Sequence, residues 1–213
     1  MITIYGIRSP NVARLRAALI QKNLPFEHVN VDIRNKSEQF KELTPAETIP
    51  VLQDAGIVIS DSIAAIHYLD DAYPNTYKML GENPGEKGKI LSIIWAIDRI
   101  GAMLSPLYLE PVAPLLREHN MAHRAVIYDE KQKENLRSDV GYRLERLWGW
   151  KGNQPFFTSK YSAADAAMLA MVANLERLGF AVGAWSVWKE EMLKDQVVAK
   201  MFPPDDEQGV RSI

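Results

Sequence analysis

Polar and apolar residues change rhythm along this chain. Residues 2–7 alternate and are rich in β-branched and aromatic side chains (Ile2, Ile4, Tyr5, Ile7), which predicts a strand. Ser9-Pro10-Asn11 then supplies turn and helix-start chemistry. From 12 to 20 the apolar residues Val12, Leu15, Ala18 and Leu19 recur three and four apart, which predicts a helix that Asn23-Leu24-Pro25 stops. Alternation returns over 26–33 (Phe26, Val29, Val31, Ile33) for a second strand. A charged, loosely helical stretch covers 36–43 until Thr44-Pro45. Two short strands follow at 51–53 and 57–59, and their connection through Asp54-Ala55-Gly56 is brief enough to require an antiparallel hairpin. Ile63, Ile66, Tyr68 and Leu69 mark a further helix that ends ahead of Tyr73-Pro74.

The first 74 residues therefore read β-α-β-α-β-β-α, a small α/β layer with a mixed sheet. Its first two strands should be parallel, joined by a right-handed crossover. Residues 75–87, with Gly81, Pro84 and Gly85, read as linker. Beyond them no strand is predicted. Residues 89–108, 122–150, 162–178 and 185–201 all carry helical periodicity, so the second part is an all-α bundle. The polar end, 201–213, is expected to be disordered.

Composition narrows the chemistry. Lys and Arg total 25 against 27 Asp and Glu, and the charges are dispersed, so no strong field favours nucleic acid or an anionic membrane. No cysteine is present, which excludes disulfides, thiolate metal sites and a protein-borne thiol nucleophile. Any thiol chemistry must use a ligand's sulfur. His119 and His123 stand four apart without the intervening acid of an H-E-x-x-H pattern, so no metal site is expected. The N-terminal residues lack a secretory pattern, and no apolar run approaches the roughly 18 residues of a membrane span. The absence of cysteine fits a reducing, cytoplasmic setting.

The most informative stretch is 43–69. Pro50 opens an apolar strand, a position that suits an edge or first residue because proline cannot donate to a ladder. Asp61-Ser62 then falls where a helix should begin. Singly, these are a strand-opening proline and a helix cap. Together, bare backbone, a carboxylate, a hydroxyl and helix N-terminal amides could clamp a small zwitterionic peptide.

With the helical second part, this Ile-Pro-Val-Leu…Asp-Ser module resembles the glutathione transferase family over nearly the whole chain. The resemblance implies an α/β thioredoxin-like N-terminal domain (1–77) that binds glutathione, a linker (78–87) and an all-helical domain (88–213). It places Ile49-Pro50 at the family's cis-proline, Asp61-Ser62 at its acid-serine pair, and Ser162 with Asp165 at a structural capping box. A cis X-Pro bond would turn the Ile49 backbone outward to pair with an extended peptide. Ser62 and its neighbouring amides would hold a carboxylate, and Asp61 an ammonium.

A free thiol has a pKa of about 8.5, so an enzyme using glutathione must stabilise the sulfur anion. Ser9, in Arg8-Ser9-Pro10-Asn11, matches the activating hydroxyl of serine-type members and precedes a helix N-terminus. Tyr5 is the rival, and the Asn11 amide could also donate to sulfur. Glu47 departs from the family pattern beside the expected glycyl carboxylate, with Arg34, Lys36 and Lys41 as candidate counter-charges. Trp95, Met103, Leu104 and Tyr108 are candidates to line a co-substrate pocket. The implied function is conjugation of glutathione thiolate to an electrophilic, largely apolar co-substrate by a cytoplasmic homodimer without metal. Glutathione-dependent disulfide or peroxide reduction, and a non-catalytic binding or regulatory role, are the alternatives.

Overall fold

The hairpin, the parallel pair and a two-residue strand, β5 (Arg211–Ser212), assemble into one mixed sheet of strand order β4-β3-β1-β2-β5. β1 (Ile2–Gly6) runs parallel to β2 (Phe26–Asn30), with Ile4 opposite His28 and Gly6 opposite Asn30. It runs antiparallel to β3 (Val51–Asp54), which turns back as β4 (Ile57–Ile59). The structure is a computed structural model and describes residues 1–7, 9–33, 35–110, 127–201 and 211–212.

The two faces of β1 explain the two sides of this layer. Ile2 and Ile4 point into the main core with Leu15 and Leu19 of α1 (Pro10–Gln21) and Ile66 and Leu69 of α3 (Ser62–Ala72). Tyr5 points the other way, onto a smaller cluster of Val31, Phe40 and Val51 covered by α2 (Glu38–Leu43). α1 starts where it does because the Ser9 side chain accepts from Val12 N, while Pro10 takes a first-turn position that needs no N–H.

The second part is helical: α4 (Pro84–Met103), α5 (Ser105–Leu109), α6 (Glu130–Lys151), α7 (Ala163–Arg177), α8 (Ala184–Met192) and α9 (Gln196–Met201). α7 is buried along almost its whole length and packs against both α1 and α4, so it is the central post of the molecule. Its capping box is present. The Asp165 carboxylate accepts from Ser162 N (2.9 Å), Ser162 Oγ (2.8 Å) and Phe157 N (3.0 Å). Burial pushes this carboxyl up to about 6 against those three donors.

Several boundaries differ from the sequence reading, each for a local reason. α4 begins inside the expected linker because Asn83 caps Glu86 N and Pro84 is a permitted first residue. The predicted helix over 89–108 is two helices, broken ahead of Pro106, which offers no N–H. That over 185–201 is also two, because Asp195 accepts from Val197 N and Val198 N and starts α9 afresh. The second strand stops at Asn30 rather than Ile33. Buried Asp70 pins the linker, accepting from Met79 N and Leu80 N while pairing with Lys22 at 2.7 Å. The expected absence of any strand after the linker is corrected by β5 (Arg211–Ser212), which lies parallel to β2 opposite Val29 and Asn30. A two-residue strand has no periodicity to read; only its neighbour defines it. Residues 122–126, His119 and His123 lie outside the described residues.

Candidate functional site

Three segments far apart in sequence leave the sheet at one edge. β1 ends at Gly6 and leads to Ser9, antiparallel β3 begins there after Ile49-Pro50, and the hairpin returns β4 to the same edge, where Ser60-Asp61 enters α3. Thr48 Oγ1 meets Ser60 O at 3.5 Å, joining the second and third segments. Arg14 joins the first and third.

Each segment presents particular groups. The Ile49–Pro50 peptide bond is cis. Among the described residues the N–H and C=O of Ile49 bond no other backbone group, so both are available to an extended ligand. Asp61 caps α3 through one carboxylate oxygen, Oδ1, which accepts from Ile63 N and Ala64 N at 2.8 Å each. The residue is exposed, and among the described residues Oδ2 has no hydrogen-bond partner. Ser62 is buried, and its Oγ accepts from Arg14 Nε at 2.8 Å, so its own proton is the one it can give away.

Ser9 is half-buried at the N-cap of α1 with Oγ 3.3 Å from Val12 N. That bond uses the oxygen as acceptor, and among the described residues the hydroxyl proton has no acceptor. Asn11, one residue into the helix, is exposed, and among the described residues its side chain has no hydrogen-bond partner. Tyr5 stands on the opposite face of the sheet from Ile4, and its hydroxyl donates to Gln53 Oε1 at 2.9 Å. Burial, with Glu27 nearby, raises its pKa. Arg8 and Arg34 lie outside the described residues.

The structure brings Asp98 to this edge and gives Arg14, which follows the Arg8-Ser9 pair in sequence, contacts that spacing does not predict. Arg14, 3% exposed, grips Asp98 of α4 with both terminal nitrogens, at 2.6 and 3.3 Å, while its Nε holds Ser62. One guanidinium thus connects α1, the start of α3 and the first helix of the bundle, in a two-pronged geometry only arginine provides. The signals were a basic residue beside the apolar stripe of α1 and an acid inside the apolar run of α4. The acidic Glu47 is also answered: Lys36 Nζ pairs with it at 3.2 Å, whereas Lys41 pairs with Glu38.

The four candidates for a co-substrate pocket separate. Leu104 is fully buried in the core. Trp95 is exposed and lines a shallow depression with Leu91 and Trp150, beside a groove of about 830 Å³ that carries Tyr142, Arg143 and Arg146. Met103 is half-buried at the end of α4. Tyr108 follows in α5, its hydroxyl accepting from the buried Asn174 of α7, and burial raises its pKa. Among the described residues no cluster of His, Cys, Asp and Glu could hold a metal ion.

With this geometry in view, comparison with known proteins is direct. Residues 5–78 match the family described as "Glutathione S-transferase, N-terminal domain". Glutathione S-transferase omega-1 of Sus scrofa is 26% identical over 94% of this chain and 80% of its own. Glutathione S-transferase U9 of Arabidopsis thaliana is 25% identical over 95% and 86%. Among solved structures, rice GST1 (OsGSTU1) in complex with glutathione superposes with a TM-score of 0.76 at 24% identity, covering 95% of this chain and 90% of its own. Beta-etherase LigF from Sphingobium sp. strain SYK-6 gives 0.78 at 20% identity, covering 94% and 98%. Those two likenesses speak to the fold: a thioredoxin-like layer followed by a helical part. Over residues 5–78 the chain is thus similar to the glutathione S-transferase N-terminal domain, and the likeness to the two named transferases extends along most of its length.

Proposed function

From these similarities we propose that this chain is a transferase that binds glutathione along the shared sheet edge of residues 1–77 and activates its thiol with Ser9. The reading rests on the Ser9 hydroxyl: it caps α1 as an acceptor, and among the described residues its proton has no acceptor beside the positive end of that helix. The rival Tyr5 hydroxyl is bonded to Gln53 on the other face.

In this arrangement the ligand runs antiparallel to the Ile49 backbone. Its γ-glutamyl carboxylate meets the hydroxyl and backbone N–H of Ser62, since Asp61 Oδ1 already holds the amides of Ile63 and Ala64, and its ammonium meets Asp61 Oδ2. The cysteinyl sulfur lies toward Ser9 and Asn11. The thiol proton leaves to solvent, and Ser9 Oγ–H donates to the resulting thiolate. The thiolate forms a carbon–sulfur bond to an electrophilic carbon, and the leaving group departs with the bonding electrons. Met103 and Tyr108 line the approach of a largely apolar co-substrate. Because the chain has no cysteine, disulfide reduction here would have to pass through two glutathione molecules; this is the second reading.

We further propose a cytoplasmic homodimer, for which the exposed Trp95, Tyr142 and Trp150 around the α4–α6 groove supply an apolar face. Light scattering tests it. No described helix is long and apolar enough to cross a membrane.

Titration calorimetry with glutathione and turnover of an aryl halide test the main reading. Wild-type protein should bind glutathione and release halide. Ser9→Ala should lose about 10²-fold in kcat, the scale for removing one donor to a developing or stabilised anion. A native protein that neither binds nor consumes glutathione would sink it, and binding without turnover would leave a non-catalytic binder.

A further inference from the structure

A buried histidine supports the turn that carries Ser9. His28 is 8% exposed on β2 and sits opposite Ile4 in the parallel register, so its ring shares the α1-facing side of the sheet. An apolar residue would fill that place at lower desolvation cost. Instead, His28 Nε2 lies 3.2 Å from the carbonyl oxygen of Gly6, the last residue of β1. A carbonyl only accepts, so the Nε2–H donates, and Nδ1 carries the lone pair. Nδ1 has no partner among the described residues, so the Gly6 bond is the polar role of this ring.

The surroundings of Gly6 make that bond consequential. The same carbonyl receives Val31 N at a long 3.4 Å, a weak second contact. On the other side, a Cβ added at Gly6 would come within 2.5 Å of Val12 Cγ2, so the first turn of α1 presses directly on the strand end. Ser9 caps that turn through Val12 N. The Gly6 peptide plane is therefore set from one side by His28 and from the other by the residue that Ser9 caps.

We infer that His28 is a positioning residue for Ser9: its Nε2–H fixes the Gly6 carbonyl at the exit of β1 and thereby the place of the Ser9 hydroxyl against the ligand sulfur. The inference rests on the proposed role of Ser9. Burial, with Arg16 on α1 adding to it, lowers the His28 pKa against the pull of the Gly6 carbonyl.

The test compares His28→Leu, which removes the donor, with His28→Gln, whose side-chain amide keeps one. The readouts are the ultraviolet absorbance of bound glutathione thiolate against pH, and kcat and KM in aryl-halide turnover. His28→Leu should raise the bound thiol's pKa by about one unit and lower kcat near neutrality about tenfold, with KM for glutathione held within about twofold. His28→Gln should recover most of the loss. In a Ser9→Ala background, His28→Leu should change the thiol titration no further.

A folded His28→Leu protein with wild-type titration and kcat overturns the role of His28 alone. Equal losses in the Leu and Gln variants also overturn it, by showing a packing effect. Wild-type protein that generates no thiolate removes the Ser9 reading and this one with it. Should the Leu variant fail to fold, nitrogen NMR of wild-type His28 still decides: an Nδ1–H tautomer contradicts the inference, and so does a His28→Gln variant with a raised thiol pKa.

Discussion

Replacing Arg14 with methionine isolates the link between the proposed ligand edge and the helical part. Arg14→Met keeps most of the side-chain stem and removes three polar contacts, one to Ser62 Oγ and two to Asp98. The losses are unequal. Ser62 is buried and loses the donor to its oxygen, which costs roughly 1–3 kcal/mol for an unsatisfied buried acceptor. The Asp98 side chain is 42% exposed and regains water, so its share is that of a screened pair, about 0–1 kcal/mol rather than the larger penalty of a stranded buried charge. The sum is about 1–4 kcal/mol. For a chain of this length that corresponds to a Tm lower by roughly 2–16 °C. Glutathione binding should weaken about tenfold, near 1.4 kcal/mol, because a Ser62 hydroxyl without its arginine donor can turn its proton away from the ligand. Asp98→Asn, which leaves the Nε contact to Ser62 intact, should cost about 1 kcal/mol or less and change glutathione affinity little. Urea unfolding and titration calorimetry on the three proteins provide both quantities. An Arg14→Met protein within about 0.5 kcal/mol of wild type and with unchanged affinity would refute the reasoning, since that is the ordinary range for a surface change.

Other expectations follow from single groups. Tyr5→Phe should keep aryl-halide turnover within about twofold while losing about 1 kcal/mol of stability with the Gln53 bond; a large fall in kcat would make Tyr5 the activator. Lys36→Met should weaken glutathione binding and Glu47→Gln strengthen it, both by less than about fivefold and both fading as salt is raised, because the pair is solvent-exposed. Asp165 supplies a pH signature. Its folded pKa of about 6 lies above its ordinary value, so the stability it adds is fully present below the unfolded pKa and is lost as pH rises through the folded one. Wild-type minus Asp165→Asn unfolding free energy should therefore fall by roughly 2–3 kcal/mol between about pH 4 and 7. Parallel curves for the two proteins would contradict that raised pKa.

By itself the sequence determined the local and periodic features: the β-α-β-α-β-β-α order, the hairpin around Ala55-Gly56, the caps at Ser9, Asp61 and Ser162, and the absence of any protein thiol. Alternation and spacing report which face of an element is buried, and cap chemistry lies within a turn of its target, so both are written over a few residues. The positions Ile49, Pro50, Asp61 and Ser62, proposed as a clamp, could be singled out for the same reason, each standing at an element boundary. Where Trp95, Met103, Leu104 and Tyr108 would face was not legible, because an apolar residue at helical spacing looks alike in a core and in a groove.

Only the tertiary structure decided which polar groups meet. Arg14, Ser62 and Asp98 lie 48 and 84 residues apart along the chain, and no periodicity relates them. The Lys36 partner of Glu47, the Gln53 partner of Tyr5, the His28 contact with Gly6 and the two-residue β5 are of the same kind. Each depends on strand order and helix packing, and desolvation sets the strength of a polar contact once packing has placed it.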